Sequence, residues 1–231
     1  VRTESLVNPT FLANMTQLWR HDARLAQQID EIPLDAALDV QPSKAGPPTA
    51  SVTTHDGRKL YLHSRHDPLR EATDFCKTLD TADAHCVVLC GMGLGYHVKS
   101  ICDMLGDEIV IFIAEPDLVT IKTALEHTDL SGELAGGRID FLTSLEKASF
   151  HDHLQRHSTM LMLGTVFAVP PVSRELHADF HAHCRQAVND FAAFWRMSLV
   201  TLVRNAAITC RNIANNLPTY VSTPPLAELR G

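Results

Sequence analysis

The chain has 231 residues, 45% of them apolar and 20% charged, enough for one large or two small globular domains with a real core. A net charge of −7 excludes an overall basic field that would gather nucleic acid or an anionic membrane. Apolar runs such as Ile109–Ala114 and Thr159–Pro170 fall far short of the ~20 residues of a membrane helix. Val1–Thr10 carries Arg2, Glu4 and Pro9 where a signal peptide would be apolar. The six cysteines form no C-x-x-C pair, and Cys86 and Cys90 on one strand stand ~13 Å apart, too far for a disulfide. They read as small buried hydrophobes in a reducing compartment, so the cytoplasm is expected. The chain opens on Val1 and ends soon after a Pro-rich turn, which reads as a fragment.

Residues 8–30 predict one helix, capped by Asn8, with Pro9 in its first turn and an apolar stripe through Phe11, Met15, Leu18 and Leu25. Residues 31–50, rich in Pro and Gly, read as a connection of low order. Ala50–Thr54 and Lys59–His63 flank Asp56-Gly57, the signal of a hairpin. Asp67-Pro68 starts a further helix. From residue 84 strand and helix alternate: strand 86–90, glycine turn 91–95, helix 96–105, strand 108–114, helix 117–127, strand 138–142, helix 145–157 and strand 159–163. That alternation predicts a Rossmann-like (methyltransferase-like) α/β fold, a parallel sheet with helices on both faces, its strand 86–90 central and parallel to 109–114. Ser173–Asn216 predicts a long C-terminal helix stopped by Asn215–Pro218. Its stripe of Phe191, Phe194, Trp195, Leu199 and Leu202 is longer than a small sheet can cover, so a partner is expected on it. Arg196, Arg204 and Arg211 lie beside that stripe as a solvated or anion-contacting face. The chain thus divides into an N-terminal helix and hairpin (1–83), a Rossmann-like core (84–172) and a long helix with linker (173–231).

The chemistry-bearing unit is Val87–Tyr96, a buried strand running into Gly91-x-Gly93-x-Gly95 and then a helix. Glycines let backbone N–H groups approach a ligand, and a helix N-terminus favours negative charge. In nucleoside-binding folds an acid at the end of the second strand holds the ribose. Glu115 stands there, 24 positions beyond Gly91 (115 − 91), followed by Asp117. The candidate cofactor-binding residues are therefore Gly91, Gly93, Gly95, Tyr96, Glu115 and Asp117, for a nucleotide, a CMP-sugar or an S-adenosyl ligand. The alternative is that the glycines only let the helix pack closely. The unit resembles the cofactor half of S-adenosylmethionine methyltransferases, but Leu89 replaces the acid usual two residues before the first glycine. Val169-Pro170-Pro171 likewise lacks the polar residue of Asn/Asp-Pro-Pro. Pairs His153/His157 and His177/His181, with His183, share helix faces but lack a completing ligand, so they read as solvated and no metal set is expected.

Asn8–Ile32, Tyr61–Pro68 (YLHSRHDP) with Glu71-Ala72, Gly91–His97 (GMGLGYH), Ala114–Asp117 (AEPD) and Asn216–Pro218 with Pro225–Leu229 resemble, in order, the N-terminal region of the motility-associated factor (Maf-type) glycosyltransferases. The resemblance implies a bacterial cytoplasmic protein that transfers nonulosonic (sialic-acid-like) sugars from CMP donors to flagellin Ser/Thr. Its transferase domain, similar to sialyltransferases and hydroxymethylpterin diphosphokinase-like proteins, would begin where this chain stops. On that reading the chain is a non-catalytic accessory domain, with no catalytic residue of its own. Its partners would be the missing transferase domain, flagellin or a second subunit. The alternatives are a methyltransferase-like enzyme or a pure interaction module.

Overall fold

The computed structural model describes residues 8–33, 36, 38–54 and 56–223. The residues Pro225–Leu229 of the family resemblance lie outside them.

The helix expected over 8–30 is two: α1 (Pro9–His21) and α2 (Ala23–Asp30). Asn8 caps the first by accepting from the N–H groups of Thr10 and Phe11. Asp22 leaves the helical region (φ −144°, ψ 80°), and its carboxylate caps α2 at the Leu25 N–H, 2.9 Å away. A capping residue in mid-pattern therefore divides what apolar periodicity alone joins.

The hairpin is present as β2 (Pro48–Thr53) and β3 (Lys59–Tyr61), antiparallel, with Thr53 opposite Lys59. A strand absent from the sequence reading, β1 (Asp39–Pro42), completes a three-stranded sheet β1-β2-β3. It hides because prolines mark its region. Pro42 ends an edge strand and Pro48 begins its neighbour, the two places where a missing N–H costs no ladder bond.

Next come α3 (Pro68–Cys76), β4 (Cys86–Cys90), α4 (Tyr96–Leu105), β5 (Val110–Ala114), α5 (Leu118–His127), α6 (Ser131–Ala135), β6 (Ile139–Leu142) and α7 (Lys147–Arg156). The strand expected over 159–163 is instead helix α8 (Ser158–Leu163), and the fourth strand is β7 (Thr165–Ala168). A short apolar run does not declare its own period. Met160, Leu161 and Met162 are helix formers, whereas Thr165, Val166 and Phe167 after Gly164 favour a pleated strand.

The second sheet is parallel in the order β6-β5-β4-β7, with β4 central and Leu89 opposite Ile113. Alternation along the strands separates two apolar clusters. Val87, Leu89, Ile111 and Ile113 pack with residues of α1, α2, α4 and α5. Cys86, Val88, Phe112 and Ala114 pack with residues of α7, α8 and the long helix α9 (Ala178–Ser222). Helices thus cover both faces. The chain extends the sheet from β4 to β5 to β6, then returns to the other side of β4. That reversal places a topological switch point between the C-terminal ends of β4 and β7.

A 3-10 turn (Val172–Arg174) precedes α9, so the long helix starts later than expected, after His177 in a left-handed conformation (φ 55°). It also runs on through Pro218 to Ser222, past the expected stop. Pro218 removes one helical bond without ending the element. No described helix is long and apolar enough to cross a membrane.

One buried polar residue joins α1 to the end of α5 and the loop after it. The Asn14 amide, fully buried, donates to the carbonyls of Leu125 and Thr128 (both 2.8 Å) and accepts from the Leu130 N–H (2.9 Å). Replacing Asn14 by Ala should lower unfolding free energy by about 3 kcal/mol, because three buried backbone groups lose their partner. Urea denaturation would show a lower midpoint at unchanged slope; a change under about 0.5 kcal/mol would contradict this.

Candidate functional site

A cleft of about 570 Å³ opens at the switch point. Its floor comes from Gly91 and Gly93 after β4, Glu115 and Asp117 after β5, and Pro170–His177 after β7. The β2–β3 hairpin supplies the facing wall, including Val52, Thr54, Arg58 and, just beyond β3, Leu62. Arg58 spans the mouth, with Nε 2.7 Å from Asp56 and an Nη 2.9 Å from Glu175. All three side chains are more than half exposed, so this tie holds the hairpin only loosely.

The glycine loop is gripped by side chains from outside it. Glu115 Oε2 accepts from the Met92 N–H (3.1 Å), and its Oε1 from the Asp117 N–H (3.0 Å). His63, buried just beyond β3, accepts the Leu94 N–H at Nε2 (2.9 Å). Thr128 Oγ donates to the Leu94 carbonyl. Gly91 N–H reaches Ala114 O (2.9 Å), and Gly95 N–H reaches Met92 O (3.0 Å). Within Gly91–Gly95, only the Gly93 N–H has no partner among the described residues.

Two of the glycines are required by close approach. Gly93 has φ +54°, and a Cβ there would run into the His63 ring. Gly91 has φ +90°, and its Cβ would overlap Ser173 Oγ. The sequence left open whether the glycines serve a ligand or tight packing. Here they admit side chains, and His63 takes the Leu94 N–H in the turn just before the helix.

Of the six candidate residues, Gly91, Gly93, Glu115 and Asp117 border the cleft. Gly95 and Tyr96 are not on its wall: Gly95 caps α4, and the Tyr96 hydroxyl donates to Pro48 O (2.9 Å). Asp117 serves partly as the cap of α5, accepting from the Val119 N–H and from Thr120 Oγ.

The histidines read as solvated are largely engaged. His181 is 6% exposed, with Nδ1 3.1 Å from Ser173 O and Nε2 3.2 Å from Ala114 O. A neutral ring can donate to only one of these two carbonyls. His153 and His157 converge with Arg156 on the buried Asp140. Burial pushes the Asp140 carboxyl up, but bonds from His153 and His157 and the Arg156 charge outweigh it and hold the pKa well below the ordinary carboxylate range.

A grouping with no signal in local spacing is His63, Glu71 and His97, whose possible ligand atoms lie within 4.8 Å of one another. Because His63 Nε2 accepts a backbone N–H, the neutral ring carries its proton on Nδ1, facing Glu71 at 3.5 Å, long for a hydrogen bond. A metal would need that nitrogen bare, so the trio is built as support for the loop. The His97 ring stacks on His63 (centroids 5.0 Å apart), and its buried Nε2 has no partner. Burial, with His63 beside it, lowers the His97 pKa to about 3.

No family model and no curated protein matches the chain. Among solved structures it is similar to that of a MAf glycosyltransferase from Magnetospirillum magneticum AMB-1, at 12% identity and a TM-score of 0.47. That neighbour carries the name of the family whose motifs the sequence resembles. The match covers 78% of this chain and 35% of the other, so this chain spans about a third of that protein's length.

Glu115 carries a testable charge. Burial raises its carboxyl from 4.5 to about 7, against the two backbone N–H groups and with Asp117 adding to the rise. The folded state then holds a proton that the unfolded state has released. The stability this contributes is full below about pH 4.5 and is lost as pH rises through about 7. His97 and His181, lowered by burial, give the opposite slope, so the comparison must be with Glu115→Gln. Between about pH 5 and 8 the wild type should lose about 2–3 kcal/mol relative to Glu115→Gln. Parallel stability profiles for the two proteins would contradict this.

Proposed function

We propose that this chain is the accessory unit of a Maf-type glycosyltransferase, which carries no transfer chemistry itself and offers α9 to a transferase domain. The parent activity in this reading is transfer of nonulosonic sugars to flagellin Ser/Thr in the bacterial cytoplasm. Residues 84–172 form the core unit, 1–83 its N-terminal extension, and 173–231 the connection to the partner domain. The order of YLHSRHDP, GMGLGYH and AEPD along the chain supports the family.

The observation that carries the reading is the division of α9. Its buried residues, His181, Cys184, Val188, Phe191 and Ala192, all lie in the first third of a 45-residue helix. Beyond half-buried Trp195 every residue from Arg196 to Thr223 is exposed. The apolar stripe nevertheless continues through Leu199, Leu202, Ile213 and Leu217, each at least half exposed. A helix of about 68 Å with one third anchored gains too little from its own backbone to stand in water with this face bare. The arginines at 196, 204 and 211, with no acid between Asp190 and Thr223, suit an acidic rim on the partner surface.

Replacing Leu202 and Ile213 together by Asp in the full-length transferase should reduce flagellin glycosylation at least roughly tenfold. The 231-residue chain carrying the same changes should unfold at an unchanged urea midpoint, because both sites are exposed. Incubated with a CMP-nonulosonate and flagellin, the 231-residue chain alone should yield no product. Transfer by that chain alone would overturn the reading.

A further inference from the structure

The cleft lining mixes apolar and acidic side chains. Val52 and Leu62 from the hairpin side and Val172 and Leu176 from the floor are apolar. Asp56, Glu115, Asp117 and Glu175 are acidic, and Arg58, the cation at the mouth, is already shared between Asp56 and Glu175. The loop that would cradle a phosphate has given its Gly91, Met92, Leu94 and Gly95 N–H groups to the protein. A phosphate here would meet like charges and find a single free loop N–H.

Hydroxyl groups would meet the opposite situation. Each Glu115 oxygen accepts one N–H, and a carboxylate has roughly four lone-pair sites, so each oxygen keeps room for a further donor. The carboxylate borders the cleft at the end of the strand beside the glycine turn, where an acid can take both hydroxyls of a ribose. His97, 1% exposed and also bordering the cleft, has an Nε2 that no protein group satisfies. Buried polar atoms without a partner are uncommon, and this one lies just behind the cleft wall.

From these features we infer that the cleft binds a phosphate-free ribonucleoside, its vicinal diol on Glu115 and its base against Val172 and Leu176. This does not depend on the accessory-unit reading: the cleft would bind whether or not α9 docks on a transferase domain. It also separates the candidate ligands, favouring S-adenosyl compounds and free nucleosides over nucleotides and CMP-sugars.

Calorimetric titration of the unaltered chain tests it, with adenosine, cytidine and S-adenosylhomocysteine beside 2′-deoxyadenosine, AMP, CMP and glucose. At least one ribonucleoside should bind. Loss of the 2′-hydroxyl or gain of a 5′-phosphate should each weaken binding roughly tenfold or more. Glu115→Gln should abolish the preference for ribose over deoxyribose, and Leu176→Trp, which fills part of the cleft, should weaken every ligand. Because Glu115→Gln also disturbs the loop, the decisive comparison is between ligands on the unaltered protein. Equal affinity for ribo and deoxy forms, tighter binding of AMP or CMP, equal binding of glucose, or no binding at millimolar concentration would overturn the inference.

Discussion

The arrangement rests on two side chains holding one turn. Glu115 takes the Met92 N–H, and His63 takes the Leu94 N–H, from opposite sides of Gly93. Both acceptors are buried, so releasing either donor would strand a polar group away from water. The grip also fixes the backbone: Gly93 must lack a side chain because the His63 ring lies against it. Through His63 the turn is coupled to the segment after β3, through Glu115 to β5, and through Thr128 to the loop after α5. Three regions distant in sequence thus close on the end of the central strand.

This coupling changes what the switch point can do. The usual advantage of a glycine turn before a helix is a set of free N–H groups. Here all of the turn's N–H groups except that of Gly93 are satisfied internally, and acceptors line the space beyond. Glu115 is at once the clamp on the loop and the cleft's most buried acid, its carboxyl poised near neutrality by burial. Its clamping and its openness to a donor are compatible because its two oxygens take one N–H each. The molecule's other asymmetry lies in α9, where the same stripe is core near Phe191 and bare surface beyond Trp195.

Much of this was legible in the residues. The periodic switch at residue 84, the glycines after an apolar strand and the caps at Asn8, Asp67 and Asp117 each act locally, and each element appears where they point. Errors arose where a local signal competed with a distant one. Asp22 capped a helix that apolar spacing would have continued. Met160–Leu163 formed helix because strand and buried helix look alike over four apolar residues. Pro218 failed to end α9, and Pro42 concealed an edge strand. In the site, Glu115 was recognisable from its position, but its grip on Met92 was not. His63, Glu71 and His97 carry no shared spacing and meet only through the fold. LHSRHDP, which contains His63, and GMGLGYH, which contains His97, were visible as a resemblance, and the His63–Leu94 bond joins the two motifs in the fold.

Residue-resolved amide hydrogen exchange tests the central claim directly. If Glu115 and His63 hold the turn, the Met92 and Leu94 amides should exchange as slowly as those of β4 and β5, while the Gly93 amide between them exchanges quickly. Met92 and Leu94 exchanging as fast as Gly93 would show a turn with free donors, and would contradict the account.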